Sequence, residues 1–255
     1  MRFDVITLFP ELFAPFLASG ITRRAYASGL VDVRLWNPRD YAEGNYRRVD
    51  DRPFGGGPGM VMMAPPLERC LAAIRADRAE DVAAPVPVVL FSPIGAPLNH
   101  TAVEHWSGSA GAVLLCGRYE GIDQRFIDRY VTVQISLGDF VLSGGEIAAL
   151  ALLDAVARLQ PGVLNDAGSH QLDSFNPALD GLLDCPHYTR PEEWQGDVVP
   201  APLLSGHHAQ IERWRRDQSL RTTAQHRPDL LTAARAHGKL QTADEALLRS
   251  LQGKL

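Results

Sequence analysis

The fold of this chain is organised around residues 135–146, which are Ile135-Ser136-Leu137-Gly138-Asp139-Phe140-Val141-Leu142-Ser143-Gly144-Gly145-Glu146. The apolar run before them, at 131–135, is typical of a strand, and the apolar run after them, at 147–159, is typical of a helix. Three glycines therefore lie in a strand-to-helix turn. Ser143 and Glu146 have the spacing of a capping box at the start of the helix. Because free backbone N–H groups at such a turn can bind the polar edge of a ligand, we expect one wall of a cofactor pocket here.

Two further apolar runs lead into turns that contain glycine. Residues 86–91 precede Ser92-Pro93-Ile94-Gly95, and residues 112–116 precede Gly117-Arg118-Tyr119-Glu120-Gly121. Continuous apolar strands that alternate with helices predict a parallel sheet covered on both faces. Ligands of open α/β sheets bind beyond the carboxyl ends of the strands, so the three turns together predict a single site. Tight turns without a ligand would also use glycine, and this alternative stays open.

Composition limits the class of protein. The chain has 255 residues, of which 45% are hydrophobic and 22% charged, as in ordinary globular proteins. No stretch approaches the roughly 18 consecutive apolar residues of a membrane span, and the first residues lack the pattern of a signal peptide. The cysteines at 70, 116 and 185 are far apart, which indicates neither a disulfide framework nor a zinc site. We therefore expect a cytoplasmic protein without a membrane partner.

The chain changes character after residue 162. Residues 163–181 are rich in Gly, Asn, Asp and Ser, as linkers are, and helical patterns follow them. The net charge of −5 does not indicate nucleic acid, but residues 207–227 carry five arginines against Glu212 and Asp217. An exposed helix face would show the same local excess.

A long irregular segment at 37–63 contains Phe54-Gly55-Gly56-Gly57-Pro58-Gly59. Loops of this length inside compact domains are more often functional than idle. The glycine run lacks the Lys-Ser/Thr of a P-loop and does not fit GxGxxG, so it is weak evidence for phosphate binding.

Three charged residues stand where they could carry chemistry. Glu120, in a turn after a strand, could bind the cationic part of a ligand or help to hold a metal, although an acid beside a helix start has the same pattern. Arg158 ends an apolar helix, a position that the helix dipole favours for any cation. Asp173 lies in the linker, where an aspartate is commonly polar filler.

Four longer motifs are more specific than any of these residues alone. They are Val49-Asp50-Asp51-Arg52-Pro53-Phe54-Gly55-Gly56-Gly57-Pro58-Gly59-Met60, Cys116-Gly117-Arg118-Tyr119-Glu120-Gly121-Ile122-Asp123, Gly138-Asp139-Phe140-Val141-Leu142-Ser143-Gly144-Gly145-Glu146 and Leu182-Leu183-Asp184-Cys185-Pro186-His187-Tyr188-Thr189-Arg190-Pro191. In this order they resemble the bacterial tRNA (guanine-N1)-methyltransferases, which belong to the SPOUT class of trefoil-knotted methyltransferases. The resemblance covers nearly the whole chain and becomes weaker after about residue 228.

The resemblance implies an α/β fold with a mostly parallel sheet, a deep C-terminal trefoil knot and a small all-helical C-terminal domain. The knot cannot be seen in composition or periodicity, and knots are rare. The implied domains are a knotted S-adenosylmethionine-binding domain at 1–162, a flexible linker at 163–180 and a helical tRNA-binding domain at 181–255. The resemblance also implies a homodimer whose active site is shared between the subunits.

The resemblance implies a reaction as well, methyl transfer from S-adenosylmethionine to N1 of guanosine 37 of tRNA. Asp173 would be the general base, Arg158 would stabilise charge on O6, and a magnesium requirement would make Glu120 a candidate ligand. Phosphates would be bound by Arg213, Arg215, Arg216 and Arg221. The cofactor would be bound by Ser92, Pro93, Gly117, Tyr119, Glu120, Ser136, Leu137, Gly138, Leu142, Gly144 and Gly145.

Two positions depart from the family's pattern. Leu172 stands where an acidic residue is expected before the base, and Ala148 stands where a proline is expected early in the helix. Because leucine carries no charge, Asp173 lacks the neighbouring negative charge that the family's pattern would place before it.

Three other functions compete with this one. A SPOUT methyltransferase that acts on another RNA base would keep the turns but would not need Arg158 and Asp173. A non-catalytic RNA-binding module would not need Asp173 either. A dinucleotide-dependent oxidoreductase is disfavoured because no GxGxxG opens a first βαβ unit.

Overall fold

The computed structural model describes residues 1–79, 85–164 and 170–252. The chain divides into two compact units, Met1–Leu164 and Asn165–Leu255. Residues 165–169, which belong to the predicted flexible linker, lie outside the described residues.

The first unit is built on a parallel sheet of five strands in the order β2-β1-β6-β5-β7. The strands of this unit are β1 (Arg2–Ile6), β2 (Asp32–Trp36), β3 (Asp50–Asp51), β4 (Val61–Met62), β5 (Val88–Pro97), β6 (Gly111–Leu115) and β7 (Val133–Ser136). β3 and β4 form a separate antiparallel pair. The predicted parallel sheet is thus confirmed, and its three apolar runs correspond to β5, β6 and β7.

Helices cover both faces of this sheet. They are α1 (Phe13–Leu17), α2 (Arg23–Ala27), α3 (Ala64–Arg78), α4 (His100–Ser107), α5 (Gln124–Tyr130) and α6 (Glu146–Arg158), with 3-10 turns at Pro10–Leu12 and Pro38–Tyr41. Alternate residues of β6 point to opposite faces, as the period of a strand requires. Leu114 packs in a core with residues of α2, α4 and α6, whereas Leu115 packs in a second core with residues of α3 and α5. Burial on both faces explains why β6 is apolar throughout.

One predicted turn has a different form in the structure. The turn expected at 92–95 is a bulge inside β5, whose register with β7 shifts between Phe91 and Ala96. Gly95 permits this close pairing, because a Cβ atom there would lie 2.4 Å from the backbone nitrogen of Ile135. The strand therefore continues past the residues that the sequence assigns to a loop.

The second unit contains helices and one short ribbon. Its elements are a 3-10 turn (Pro177–Leu179), β8 (Glu193–Trp194), β9 (Asp197–Val198), α7 (Ala201–Leu204), α8 (His208–His226), α9 (Pro228–Ala236) and α10 (Thr242–Gln252). Its core consists of Leu182, Leu220, Leu231, Ala234 and Leu248. The antiparallel pair β8–β9 is an addition to the all-helical arrangement that the sequence predicts. None of the helices in the described ranges combines the length and apolar character needed to cross a bilayer.

Candidate functional site

A pocket of about 300 Å³ lies where the three glycine-containing segments meet in the first unit. All the residues that the family resemblance assigns to the cofactor line it: Ser92, Pro93, Gly117, Tyr119, Glu120, Ser136, Leu137, Gly138, Leu142, Gly144 and Gly145. The bulge of β5 and the turns after β6 and β7 are far apart in sequence, and the parallel sheet brings them to one edge. The arrangement is that of a ligand site at the carboxyl ends of parallel strands.

Close backbone packing forms one wall of this pocket. The N–H of Gly145 donates a hydrogen bond to the carbonyl of Gly117 (3.0 Å). A Cβ atom at Gly145 would lie 2.8 Å from the Cα of Cys116, so any larger residue would push the two turns apart. Within the part of the chain that the structure describes, the N–H groups of Leu142 and Gly144 have no hydrogen-bond partner, and both residues line the pocket. They can therefore donate to a ligand.

We expect Gly145→Ala to reduce ligand binding and stability together. The added methyl meets backbone atoms of the neighbouring turn, which cannot rotate away, so the free energy of unfolding should fall by about 2 kcal/mol. Gly108→Ala is the matched control, because its Cβ would meet its nearest neighbour at 3.8 Å and should change stability by less than about 1 kcal/mol. Urea unfolding measures the change in stability. Calorimetric titration with S-adenosylmethionine, the ligand that the family resemblance implies, measures the change in binding. Equal behaviour of the two variants would contradict the packing argument.

Glu146 has a different role from the one that the sequence predicts. It is the first residue of α6, and Gly145 is the N-cap, with no side-chain capping bond, so the capping box at Ser143 is wrong. The Glu146 carboxylate is 1% exposed and accepts hydrogen bonds from Thr7 Oγ1 (2.9 Å) and Arg118 Nε (2.9 Å). Burial of the carboxylate is thus compensated by a charged partner and a hydroxyl.

Arg118 connects several parts of the pocket. Besides Glu146, it donates to the carbonyl of Ser143 (3.2 Å), and its guanidinium lies 4.3 Å from the ring centroid of Phe9. The side chain lines the pocket. It therefore ties the turn after β6 to the turn before α6. The Gly117–Gly121 motif contains Arg118, but sequence reasoning assigned no role to it.

We expect Arg118→Ala to destabilise the first unit by about 3 kcal/mol, because it leaves the buried Glu146 carboxylate without its cation. Arg125 pairs with Asp123 at the surface, where its side chain is 79% exposed, and Arg125→Ala should cost less than about 1 kcal/mol. Chemical denaturation of the two variants gives the comparison. A loss at position 118 no larger than at position 125 would show that Glu146 finds another partner.

The irregular segment at 37–63 lies beside the pocket. The N–H of Glu120 donates to the carbonyl of Met60 (2.9 Å), and the N–H of Met62 donates to the carbonyl of Gly121 (2.9 Å). The Glu120 side chain lies over Gly59, where a Cβ atom would be 2.3 Å from Glu120 Oε1. The absence of a side chain at Gly59 therefore leaves room for the Glu120 carboxylate.

Tyr119 occupies the left-handed backbone region, with a φ of +61°, which is uncommon for a residue with a side chain. Its hydroxyl accepts a hydrogen bond from Arg39 Nη2 (3.4 Å). Partial burial and a hydrogen bond to Asp50 raise the pKa of the Tyr119 phenol. The phenol is therefore protonated at neutral pH and remains a hydrogen-bond donor.

A metal centre is not formed by the side chains that the structure describes, since they contain no group of three or more His, Cys, Asp or Glu suited to a metal ion. Glu120 is exposed and supplies one carboxylate. Mg²⁺ prefers six oxygen ligands and commonly keeps several waters. The residues present therefore do not build a magnesium site on their own.

Arg158 and Asp173 belong to different units. Arg158 is the last residue of α6, about 18 Å along the helix from the pocket end at a rise of 1.5 Å per residue. Asp173 is half-buried in a turn of the second unit, where its carbonyl accepts from the N–H of Asn176 (3.2 Å). The first departure, Leu172, is 53% exposed, and the second, Ala148, is buried and lines the pocket.

The four predicted phosphate-binding arginines fall into two pairs. Arg213 and Arg216 form ion pairs with the buried carboxylate of Asp244, at 3.3 Å and 2.8 Å. Burial opposes ionisation of Asp244, but the hydrogen bonds from Arg216 and from the backbone outweigh it and lower the pKa of that carboxyl. Arg215 and Arg221 are exposed and have no hydrogen bond or ion pair within the described residues. The second pair is therefore better placed to bind an anion.

The chain is similar to known proteins over most of its length. Residues 1–233 match the family model described as tRNA (Guanine-1)-methyltransferase TrmD. The chain is 78% identical over 255 residues to a tRNA (guanine-N(1)-)-methyltransferase of Paracidovorax citrulli (strain AAC00-1), with 100% of both chains covered. It is 74% identical over 251 residues to the protein of that name from Polaromonas sp. (strain JS666 / ATCC BAA-500), covering 98% of this chain and 97% of the relative. A third relative of that name, from Bordetella pertussis, is 58% identical over 254 residues, with 100% and 99% covered.

Proposed function

The chain belongs to the tRNA (guanine-1)-methyltransferase family, and we propose that it transfers a methyl group from S-adenosylmethionine to N1 of guanosine 37 of tRNA. The observation that carries this proposal is that three segments from distant parts of the chain line one pocket. Every residue that the family resemblance assigns to the cofactor lies on its surface.

The chemistry of the pocket suits S-adenosylmethionine. Its volume of about 300 Å³ is at the lower end for small-molecule sites. The unpaired N–H groups of Leu142 and Gly144 could bind the polar edge of an adenine, and apolar side chains such as Leu137 could cover its faces. Positions 144 and 145 of the pocket wall require glycine. A Cβ atom at Gly144 would lie 2.2 Å from Arg118, and one at Gly145 would lie 2.8 Å from Cys116. When bound, the cofactor supplies an electrophilic methyl group.

The base chemistry is assigned to two side chains. N1 of guanine carries a proton at neutral pH and is a poor nucleophile until a general base removes that proton. In the proposal, the Asp173 carboxylate takes the proton, and the electron pair on N1 forms the new N–C bond as the S–C bond to the methyl breaks. Loss of the proton places negative charge on O6, which the Arg158 guanidinium stabilises. No covalent enzyme intermediate is required.

A homodimer with a shared active site is part of the proposal. Arg158 stands at the opposite end of α6 from the pocket, so a second copy is the simplest way to bring an Arg158 to each pocket. Apolar side chains are exposed beside the pocket, among them Ile94 (82%), Val141 (85%) and Ile147 (55%). An exposed apolar patch of this kind is typical of a protein interface. The deep trefoil knot is proposed in the same unit, supported by the backbone contact between Gly145 and Gly117.

The second unit is proposed to bind the tRNA. Arg215 and Arg221 are the favoured phosphate ligands because Arg213 and Arg216 are already paired within the chain. A guanosine in the anticodon loop leaves its stack at a lower free-energy cost than a guanosine in a duplex.

Mg²⁺ is proposed as a further requirement of the reaction. A cytoplasmic location is proposed because the substrate is a tRNA.

One experiment tests the proposed function directly. The protein is incubated with S-adenosylmethionine labelled on the methyl group and with tRNA transcripts that carry G or A at position 37. We expect label only in the G37 transcript, recovered as N1-methylguanosine after digestion. Equal labelling of both transcripts would indicate another target base, and labelling of neither would overturn the proposal.

A further inference from the structure

A second cavity, of about 420 Å³, lies within the second unit. We call it the Tyr188 groove, and its lining includes Tyr188, Arg190, Glu192, Leu203, Trp214 and Arg215. Its volume is in the range of small-ligand sites. The groove contains the end of the Leu182–Pro191 motif, to which the methyl-transfer chemistry assigns no role.

Two aromatic side chains, Tyr188 and Trp214, line this groove. The rings of Tyr188 and Trp214 meet edge to face, with centroids 6.1 Å apart and an angle of 64° between planes. Tyr188 is nevertheless 50% exposed. Because Trp214 holds the tyrosine ring in place while half of it remains open, the ring is a preformed platform for another planar group.

Two arginines, Arg190 and Arg215, line the same groove. Arg190 and Arg215 are both exposed, and neither has a hydrogen bond or ion pair within the described residues. His187, by contrast, is engaged with Asp184, with 2.9 Å between Nε2 and Oδ2. The one acid of the lining is Glu192, whose carboxylate could accept a hydrogen bond from an amino group. An open aromatic ring, two unpaired guanidiniums and one acceptor together match the parts of a nucleotide.

We propose that the Tyr188 groove binds one unpaired nucleotide of the tRNA substrate, with its base against Tyr188 and its phosphate held by Arg190 and Arg215. Unpaired RNA bases stack on aromatic side chains, and arginines bind the adjoining phosphates. The inference rests on the proposed function for the identity of the RNA. It adds a contact outside the methyl-transfer pocket and assigns the family motif at 182–191 a role in binding substrate.

The test compares the affinity of full-length variants for a G37 tRNA transcript, measured by fluorescence anisotropy. Tyr188→Leu should raise the Kd about tenfold, whereas Tyr188→Phe, which keeps the ring, should stay within about twofold of the wild type. Trp194→Leu is the matched control, since Trp194 is an exposed aromatic residue of the same unit outside the groove. Cofactor affinity should not change in any of the three.

The arginines are tested by the salt dependence of binding. The double variant Arg190→Ala/Arg215→Ala should reduce the slope of log K against log salt by about 0.7 per arginine removed. Arg249→Ala, which removes an exposed charge on α10, should leave the slope unchanged. Both arginines of the groove are exposed, so this variant keeps the inference testable even if Tyr188→Leu does not fold.

The outcomes separate the two proposals. If the wild type methylates the G37 transcript but Tyr188→Leu binds tRNA as tightly as Trp194→Leu does, the groove inference is wrong and the proposed function stands. An unchanged salt slope in the double arginine variant would also overturn the inference. If tRNA binding depends on Tyr188 but the wild type does not methylate G37, the proposed function fails and the groove remains an RNA site.

Discussion

We expect Asp173→Asn, which removes the proposed general base, to lower the rate of methyl transfer about a thousandfold, a loss within the range that removal of a general base produces. Asparagine keeps the shape of the side chain but cannot take the N1 proton at neutral pH. S-Adenosylmethionine affinity should be unchanged, because the cofactor is assigned to the pocket of the first unit. Single-turnover rates with the G37 transcript and calorimetric titration of the cofactor measure the two quantities separately.

Asp197→Asn is the matched control for this prediction. Asp197 is an exposed aspartate of the second unit, on β9, and its replacement should leave the rate within about twofold, as for surface positions generally. Turnover of Asp173→Asn within a few-fold of the wild type would show that another group removes the proton. An equal loss of tRNA affinity and rate would instead assign Asp173 to substrate binding.

Arg158→Ala should lower the rate of methyl transfer by about two to three orders of magnitude, as removal of a group that stabilises transition-state charge does. The substitution removes the cation proposed to face O6, and cofactor affinity should be spared. Arg158→Lys keeps the charge but not the planar fork, so we expect a partial recovery of the rate. A parallel loss of cofactor affinity in Arg158→Ala would assign Arg158 to the architecture of α6.

The same variant tests whether the active site is shared. If the active site is shared as proposed, each mixed dimer of Gly145→Ala and Arg158→Ala subunits has one site with an intact pocket from one chain and an intact Arg158 from the other. After subunit exchange, activity should rise above that of either variant alone, towards about a quarter of the wild-type value. No recovery would mean that Arg158 serves the pocket of its own chain.

Several features of the first unit could be predicted because they depend on residues close together in sequence. The apolar runs at 112–116 and 131–135 indicate buried strands, and the structure has β6 and β7 there. The glycine-containing turns that follow were expected to meet at one site, and they line a common pocket. Strand patterns and turn preferences depend on residues only a few positions apart, so they can be recognised in a single sequence.

Other features depend on contacts between distant residues. Local spacing predicts that Glu146 belongs to a capping box, but its partners are Arg118 and Thr7, which is 139 positions away. The bulge at 92–95 likewise depends on the approach of β7 to Gly95. Spacing rules consider only residues that are close in sequence. The hydrogen-bond partners of the Glu146 carboxylate are distant in sequence, so no spacing rule predicts them.

The arginines of α8 show the same division. Their excess of positive charge is visible in the sequence, but only the structure separates Arg213 and Arg216, paired with Asp244, from Arg215 and Arg221, which remain exposed. Sequence patterns are sufficient to predict the parallel sheet, the turns after β6 and β7 and the family to which the chain belongs. Which charges are compensated, how the turns pack and where Tyr188 meets Trp214 become visible only in the folded chain. The physical reason is that strand and turn preferences act locally, whereas ion pairs and close packing require residues that only the folded chain brings together.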